Sequence, residues 1–175
     1  MNDIEFYKSF YDRELSRRID LDNALNIPIG LIAILIALIS YLISNINFCD
    51  NIIVNCLITG FTAISILLIF QAIYFLSKSY NNVFKGYQYL NFSLTTDIRK
   101  FQKSVETYNS EVQDGNEKVD IESELIDKLN YYTDKHILIN DDRQIDLHRA
   151  KSRIVGSIFI LLIALVLVIT KKYLL

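Results

Sequence analysis

Apolar residues along this chain gather into three uncharged runs, and elsewhere they recur every three or four positions. The runs are 27–44 (IPIGLIAILIALISYLIS), 52–76 (IIVNCLITGFTAISILLIFQAIYFL) and 154–170 (IVGSIFILLIALVLVIT), and no Lys or Arg occurs between Arg18 and Lys78. A helix rising 1.5 Å per residue needs about 17–25 such residues to cross a hydrocarbon core of roughly 30 Å. The pattern predicts an all-α integral membrane protein. A transmembrane helical hairpin covers 23–77, with spans 27–44 and 52–76. A cytoplasmic helical hairpin covers 78–153, and a third, C-terminal transmembrane helix covers 154–170 before an external tail, 171–175.

Outside the runs the spacing predicts further helices. In segment 1–22, Phe6, Tyr7, Phe10, Tyr11, Leu15 and Ile19 give one apolar side, so this amphipathic N-terminal helix either lies among headgroups or packs on the middle segment. From Tyr80 through Phe84, Tyr87, Leu90, Leu94, Ile98, Phe101, Val105, Tyr108 and Val112 the period stays near 3.6, which predicts a long helix running on from the second span unless Gly86 breaks it. Asp114-Gly115-Asn116 is turn chemistry, and Asp120, Glu122 and Glu124 suit the start of a returning helix. Its stripe is Ile121, Leu125, Leu129, Tyr132 and His136 or Ile137. Asn140-Asp141-Asp142 interrupts that stripe, and Asp141 with Gln144 has capping-box spacing for a last helix. Short strands at 90–94 or 136–139 are the alternative.

Inside the first run Pro28 sits where its missing N–H matters least, with Asn23 or Asn26 as cap. Gly30, Ala33, Ala37, Ser40 and Ser44 share one face, which would let a neighbouring helix approach closely while the opposite Ile/Leu face meets lipid. In the second run Asn55, Thr59 and Thr62 share a face, Cys56, Gly60 and Ala63 lie beside it, and Gln71 is a separate polar position. The small faces either pack together within one subunit or, in a homo-oligomer, the polar face lines a water path.

Charge orients these elements. Arg13, Arg17 and Arg18 precede the first span, and Lys78, Lys85, Arg99, Lys100 and Lys103 follow the second. Positive residues near span ends stay in the cytoplasm, so the N-terminus and the middle segment are expected there. Arg149, Lys151 and Arg153 outnumber Lys171 and Lys172 across the third span, in agreement. About 26 largely polar residues precede the first run, which disfavours a cleavable signal peptide, and the C-terminal lysines only superficially resemble a retrieval signal. Abundant Ile, Asn, Lys and Tyr with one Pro and no Trp suggest a bacterial source, hence the inner (cell) membrane. The net charge of −2 gives no reason to expect nucleic acid as a partner. Seven acids against one lysine between Glu111 and Asp127 make an acidic tip suited to a basic protein surface.

Candidate chemistry is sparse. Cys49 and Cys56 build no disulfide framework, His136 and His148 are isolated, and no glycine-rich phosphate loop occurs. The expectation is therefore no catalytic residue, no metal, no cofactor and no enzymatic activity. The absence of charge within the spans also disfavours proton-coupled transport.

The stretch Phe10-Tyr11-Asp12-Arg13-Glu14-Leu15-Ser16-Arg17-Arg18, with Leu21 and Asn26-Ile27-Pro28-Ile29-Gly30, resembles the opening of small bacterial membrane proteins of antiphage defence. These include the two-transmembrane and SLATT-like effectors of retron and cyclic-oligonucleotide systems. The resemblance covers residues 6–76, and the third span departs from the two-span form. It implies a membrane effector that oligomerises and perturbs the inner membrane when a cytosolic signal or sensor protein acts on its helical hairpin. The competing expectation is a non-catalytic membrane anchor or scaffold that recruits a cytosolic protein.

Overall fold

The computed structural model describes residues 3–46, 51–80, 89–93, 95–112 and 118–174. Regular structure among them is all helical: α1 (Asp3–Asn23), α2 (Asn26–Ser44), α3 (Ile52–Ser79), α4 (Thr95–Glu111) and α5 (Ile121–Leu174). Three of these stretches are long and apolar enough to cross a membrane, in α2, in α3 and toward the end of α5. The turn with Cys49 and Asp50, the positions Phe84, Gly86, Tyr87 and Leu94, and Asp114-Gly115-Asn116 lie outside the described residues.

The chain divides into two compact units. A polar unit comprises Met1–Ile19 and Gln88–Asp141, and an apolar unit comprises Asp20–Tyr87 and Asp142–Leu175. In the apolar unit, one core joins α2, α3 and the second part of α5. The buried positions are 28, 32, 35, 39 and 42 on α2, and 55, 58, 62, 65, 69, 72, 76 and 79 on α3. On α5 they are 147, 150, 154, 157, 161, 164 and 168, with Arg143 and Asp146 at the head of the stripe. Steps of three and four alternate along each helix, which is the 3.5-residue repeat of helices wound about each other. Facing outward are Ile34, Ile36, Ile43, Ile53, Leu57, Phe70, Phe159 and Val166. Polar pairs fix the direction of α5 against α3: Asn55 meets Lys171, Ser65 meets Ser157, and Ser79 meets Arg143. As numbers rise on one helix they fall on the other, so the two are antiparallel over about 36 Å.

The small-residue expectation for α2 is corrected here. Gly30, Ala33, Ala37, Ser40 and Ser44 are all exposed, and the face packed within the chain is Pro28, Ile32, Leu35, Ile39 and Leu42. Large aliphatic side chains offer more contact to the core than Gly and Ser. No capping bond is made at the start of α2 either. Leu25 occupies the N-cap position with near-helical backbone, φ −76° and ψ −25°, and no side-chain cap bond. The chain turns at Ala24–Leu25 while the Leu25 carbonyl still accepts from the Ile29 N–H at 3.2 Å.

In the polar unit two further expectations are corrected. The helix expected to run on from the second span ends at Ser79, where Tyr80 turns extended, with φ −78° and ψ 103°, and residues 89–93 are not helical. A tertiary bond takes over the Leu90 carbonyl, which accepts from His136 Nε2 at 2.8 Å. A helix would have used that carbonyl locally. Helix α5 then continues unbroken through Asn140-Asp141-Asp142, where the pattern predicts an interruption and the start of a last helix, and the alternative of a short strand at 136–139 is not formed. Asn and Asp weaken helices by bonding their own backbone, but here the Asn140 amide is engaged by Tyr89 and Glu14 instead. The start of α5 follows the expected acid-rich pattern, with Asp120 Oδ1 accepting from the Glu122 N–H at 3.1 Å. Between α4 and α5 the Asn109 amide closes the connection, donating to the Val119 carbonyl at 2.8 Å and accepting from its N–H at 2.9 Å.

Candidate functional site

Two polar constellations stand out, one in each unit. In the apolar unit a seam of buried polar side chains runs along the α3–α5 contact. Asn55, Thr62 and Ser65 fall on the same three-four stripe of α3 and are buried with Ser157 of α5. The Ser65 and Ser157 hydroxyls bond each other across the interface. Lys171 Nζ donates to Asn55 Oδ1 at 3.0 Å, and Thr62 Oγ1 donates back to the Ile58 carbonyl at 2.7 Å. An unpaired polar group in an apolar core costs several kcal/mol, and each of these groups has a partner.

The expected polar residues therefore separate. Asn55 and Thr62 come together on the seam. Thr59 is exposed and bonds the Asn55 carbonyl at 2.8 Å. Gln71 is exposed, two positions past buried Ile69 and so on the far side of α3, as is Gly60, where an added Cβ would meet nothing within 4 Å. Ser65 and Ser157 were not anticipated. Stepping by three and four from Asn55 through Thr62 reaches Ser65, whereas Ser157, beside Gly156, has no other polar residue in its run until Thr170.

At one end of the seam lies a charged collar. Arg143, 1% exposed, pairs with Asp22 and donates from Nε to the Ser79 carbonyl at 2.7 Å. The Ser79 hydroxyl donates to the Arg143 carbonyl at 2.9 Å. Asp146 is shared by Lys78 at 3.1 Å and Arg149 at 3.3 Å. A buried guanidinium is tolerated only when its charge and donors are met, and here an α1 carboxylate and the last carbonyl of α3 meet them. Of the expected basic residues, Arg149 joins this collar, while Lys151 and Arg153 are exposed.

In the polar unit, the segment 89–93 lies between α1 and α5. Glu14, 2% exposed, accepts from Asn140 Nδ2 at 3.1 Å and pairs with Arg13 and Arg17 at 3.2 and 3.4 Å. Arg17 also reaches Asp141 at 2.6 Å. The Tyr89 hydroxyl donates to Asn140 Oδ1 at 2.8 Å, and the Arg18 guanidinium lies 4.3 Å over the Tyr89 ring. His136, fully buried, sits between the Tyr11 and Tyr89 rings at 5.2 and 5.1 Å. Its Nε2 donates to Leu90, which leaves Nδ1 as a buried acceptor without a partner. Burial lowers the His136 pKa below its ordinary value and raises that of Tyr11. Both groups are thus held neutral near pH 7, so the cluster acts as a clamp: Glu14 is occupied by two arginines and the Asn140 amide, and His136 by a carbonyl. No family model, curated protein or solved structure matches the chain.

Proposed function

We propose that this chain is a multi-pass protein of the bacterial inner membrane. In this reading α2 and α3 cross as a hairpin, α5 crosses a third time, and the N-terminus and the polar unit face the cytoplasm. The outward Ile, Leu and Phe of the apolar unit support it, since water does not tolerate so large an apolar surface. On this reading the protein is an effector caught in its resting state, as the resemblance of residues 6–76 to antiphage membrane effectors suggests. The observation that carries the proposal is the buried seam of Asn55, Thr62, Ser65 and Ser157. Polar residues hold helices together in lipid, and the same side chains would line a water path if α5 moved off α3. A cytosolic signal or sensor protein acting on the polar unit has to shift an equilibrium of only a few kcal/mol. Copies of the chain then assemble around the opened seam. Induced expression with a membrane-potential dye and the activating defence system tests this. Depolarisation abolished by Thr62→Leu, with insertion intact, is the expected result, and unchanged potential in the wild type overturns it.

The second reading, a non-catalytic anchor or scaffold, is favoured by the fact that the seam is fully bonded within one chain. It predicts that Thr62→Leu leaves function intact and that the full chain captures a cytosolic protein through the polar unit.

A further inference from the structure

Where α2 and the apolar part of α5 begin, a groove of about 280 Å³ opens between them, lined by Ile27, Pro28 and Leu31 on one side and by Lys151, Ile154 and Val155 on the other. Positions 151, 154 and 155 share one face of α5, so a single cation stands at the rim of an otherwise apolar trough. Asp22 engages Arg143, and Asp146 engages Lys78 and Arg149. Lys151 makes no ion pair among the described residues. A larger groove of about 430 Å³ between α2 and α3 is lined by Leu25, Ile29, Ile32, Ile73, Leu76 and Tyr80, with no charged residue. An amphiphile with one negative charge at its head therefore distinguishes the two grooves.

We infer that the smaller groove is a binding site for an anionic phospholipid. One acyl chain lies along Pro28, Leu31 and Val155, and the phosphate sits on the Lys151 ammonium. This rests on the membrane reading above, because only bilayer insertion brings acyl chains to α2 and α5 and phosphates to the level of Lys151. Arg153 supplies an internal control. It lies two residues away, is also exposed, makes no ion pair among the described residues and does not line the groove.

The full chain in detergent is loaded with equal phosphatidylglycerol and phosphatidylcholine, and retained lipid is counted by native mass spectrometry. Preferential retention of phosphatidylglycerol is expected. It should fall roughly fivefold in Lys151→Gln, the value of one cation at a membrane surface, and hold in Arg153→Gln. Val155→Trp, which fills the trough and keeps the charge, should also lose it. Glycerol phosphate added in excess should not compete, which separates the lipid from a free phosphate. Equal retention of both lipids, or equal loss in Arg153→Gln and Lys151→Gln, overturns the site. Failure of the membrane reading looks different: alkaline carbonate would then release the wild-type chain from membranes regardless of lipid.

Discussion

Helix α5 serves both units, and its two parts make an instructive contrast. In the polar unit its buried positions are Leu129, Thr133, His136 and Asn140, and in the apolar unit, past the buried pair Arg143 and Asp146, they are Leu147, Ala150, Ile154, Ser157, Leu161, Ala164 and Val168. Steps of three and four alternate in both, because the period is a property of helices packed lengthwise. What differs is the outward surface: Asp134, Lys135 and Asp141 in one part, Val155, Phe159, Leu162 and Val166 in the other. Packing geometry sets the period, and on the membrane reading proposed above the surrounding solvent sets what stands on the opposite side.

The contrast can be broken most strongly at the collar. Asp22→Ala takes the carboxylate from buried Arg143, and a loss of about 3 kcal/mol is expected in thermal unfolding of the full chain in detergent. Asp22→Asn, which keeps a hydrogen-bond acceptor, should lose less. The next test compares truncations on one helix. Leu129→Ala should cost about 3 kcal/mol, since it forfeits both transfer from water and packing. Leu161→Ala should cost about 1 kcal/mol, because lipid or detergent solvates leucine as well as the core does and only packing is lost. Hydrogen exchange resolved by segment measures both, and equal costs would mean that the two parts see the same solvent.

Acid separates the units differently. The depressed pKa of His136 means that the unfolded chain takes up its proton first as pH falls below about 6.5, so stability of the polar unit declines with acidification. The imidazolium would also place a second N–H where Nδ1 has no acceptor. Melting followed between pH 7 and pH 5 should show this slope in the wild type and a flatter one in His136→Phe, with exchange in the apolar unit unchanged. The smallest effect belongs to Arg149→Gln. Its side chain is 54% exposed, and Asp146 keeps Lys78, so less than about 1 kcal/mol should be lost, and less again in high salt.

The three long apolar helices are legible in the sequence because the absence of charge over so many residues leaves little else for them to be. The packed face of α2 is not. Gly30, Ala33, Ala37, Ser40 and Ser44 repeat with the same period as Pro28, Ile32, Leu35, Ile39 and Leu42, one or two positions out of step, and periodicity alone does not say which stripe turns inward. The continuity of α5 was hidden for another reason. Asn140-Asp141-Asp142 is turn chemistry by local rules, and what holds it helical is more than a hundred residues away, at Glu14 and Arg17. The seam was half legible, through Asn55 and Thr62. The collar was not, since only the fold brings Asp22, Ser79 and Arg143 together.

A seven-residue repeat is degenerate: α5 could slip past α3 by one repeat, about 10 Å, and still present apolar positions to apolar positions. The polar pairs act as a vernier against this. After such a slip Ser65 would face Ala150 or Ala164, and Arg143 would leave Asp22 behind, so a few hydroxyls and one guanidinium select a single alignment from several that greasy contacts alone would accept.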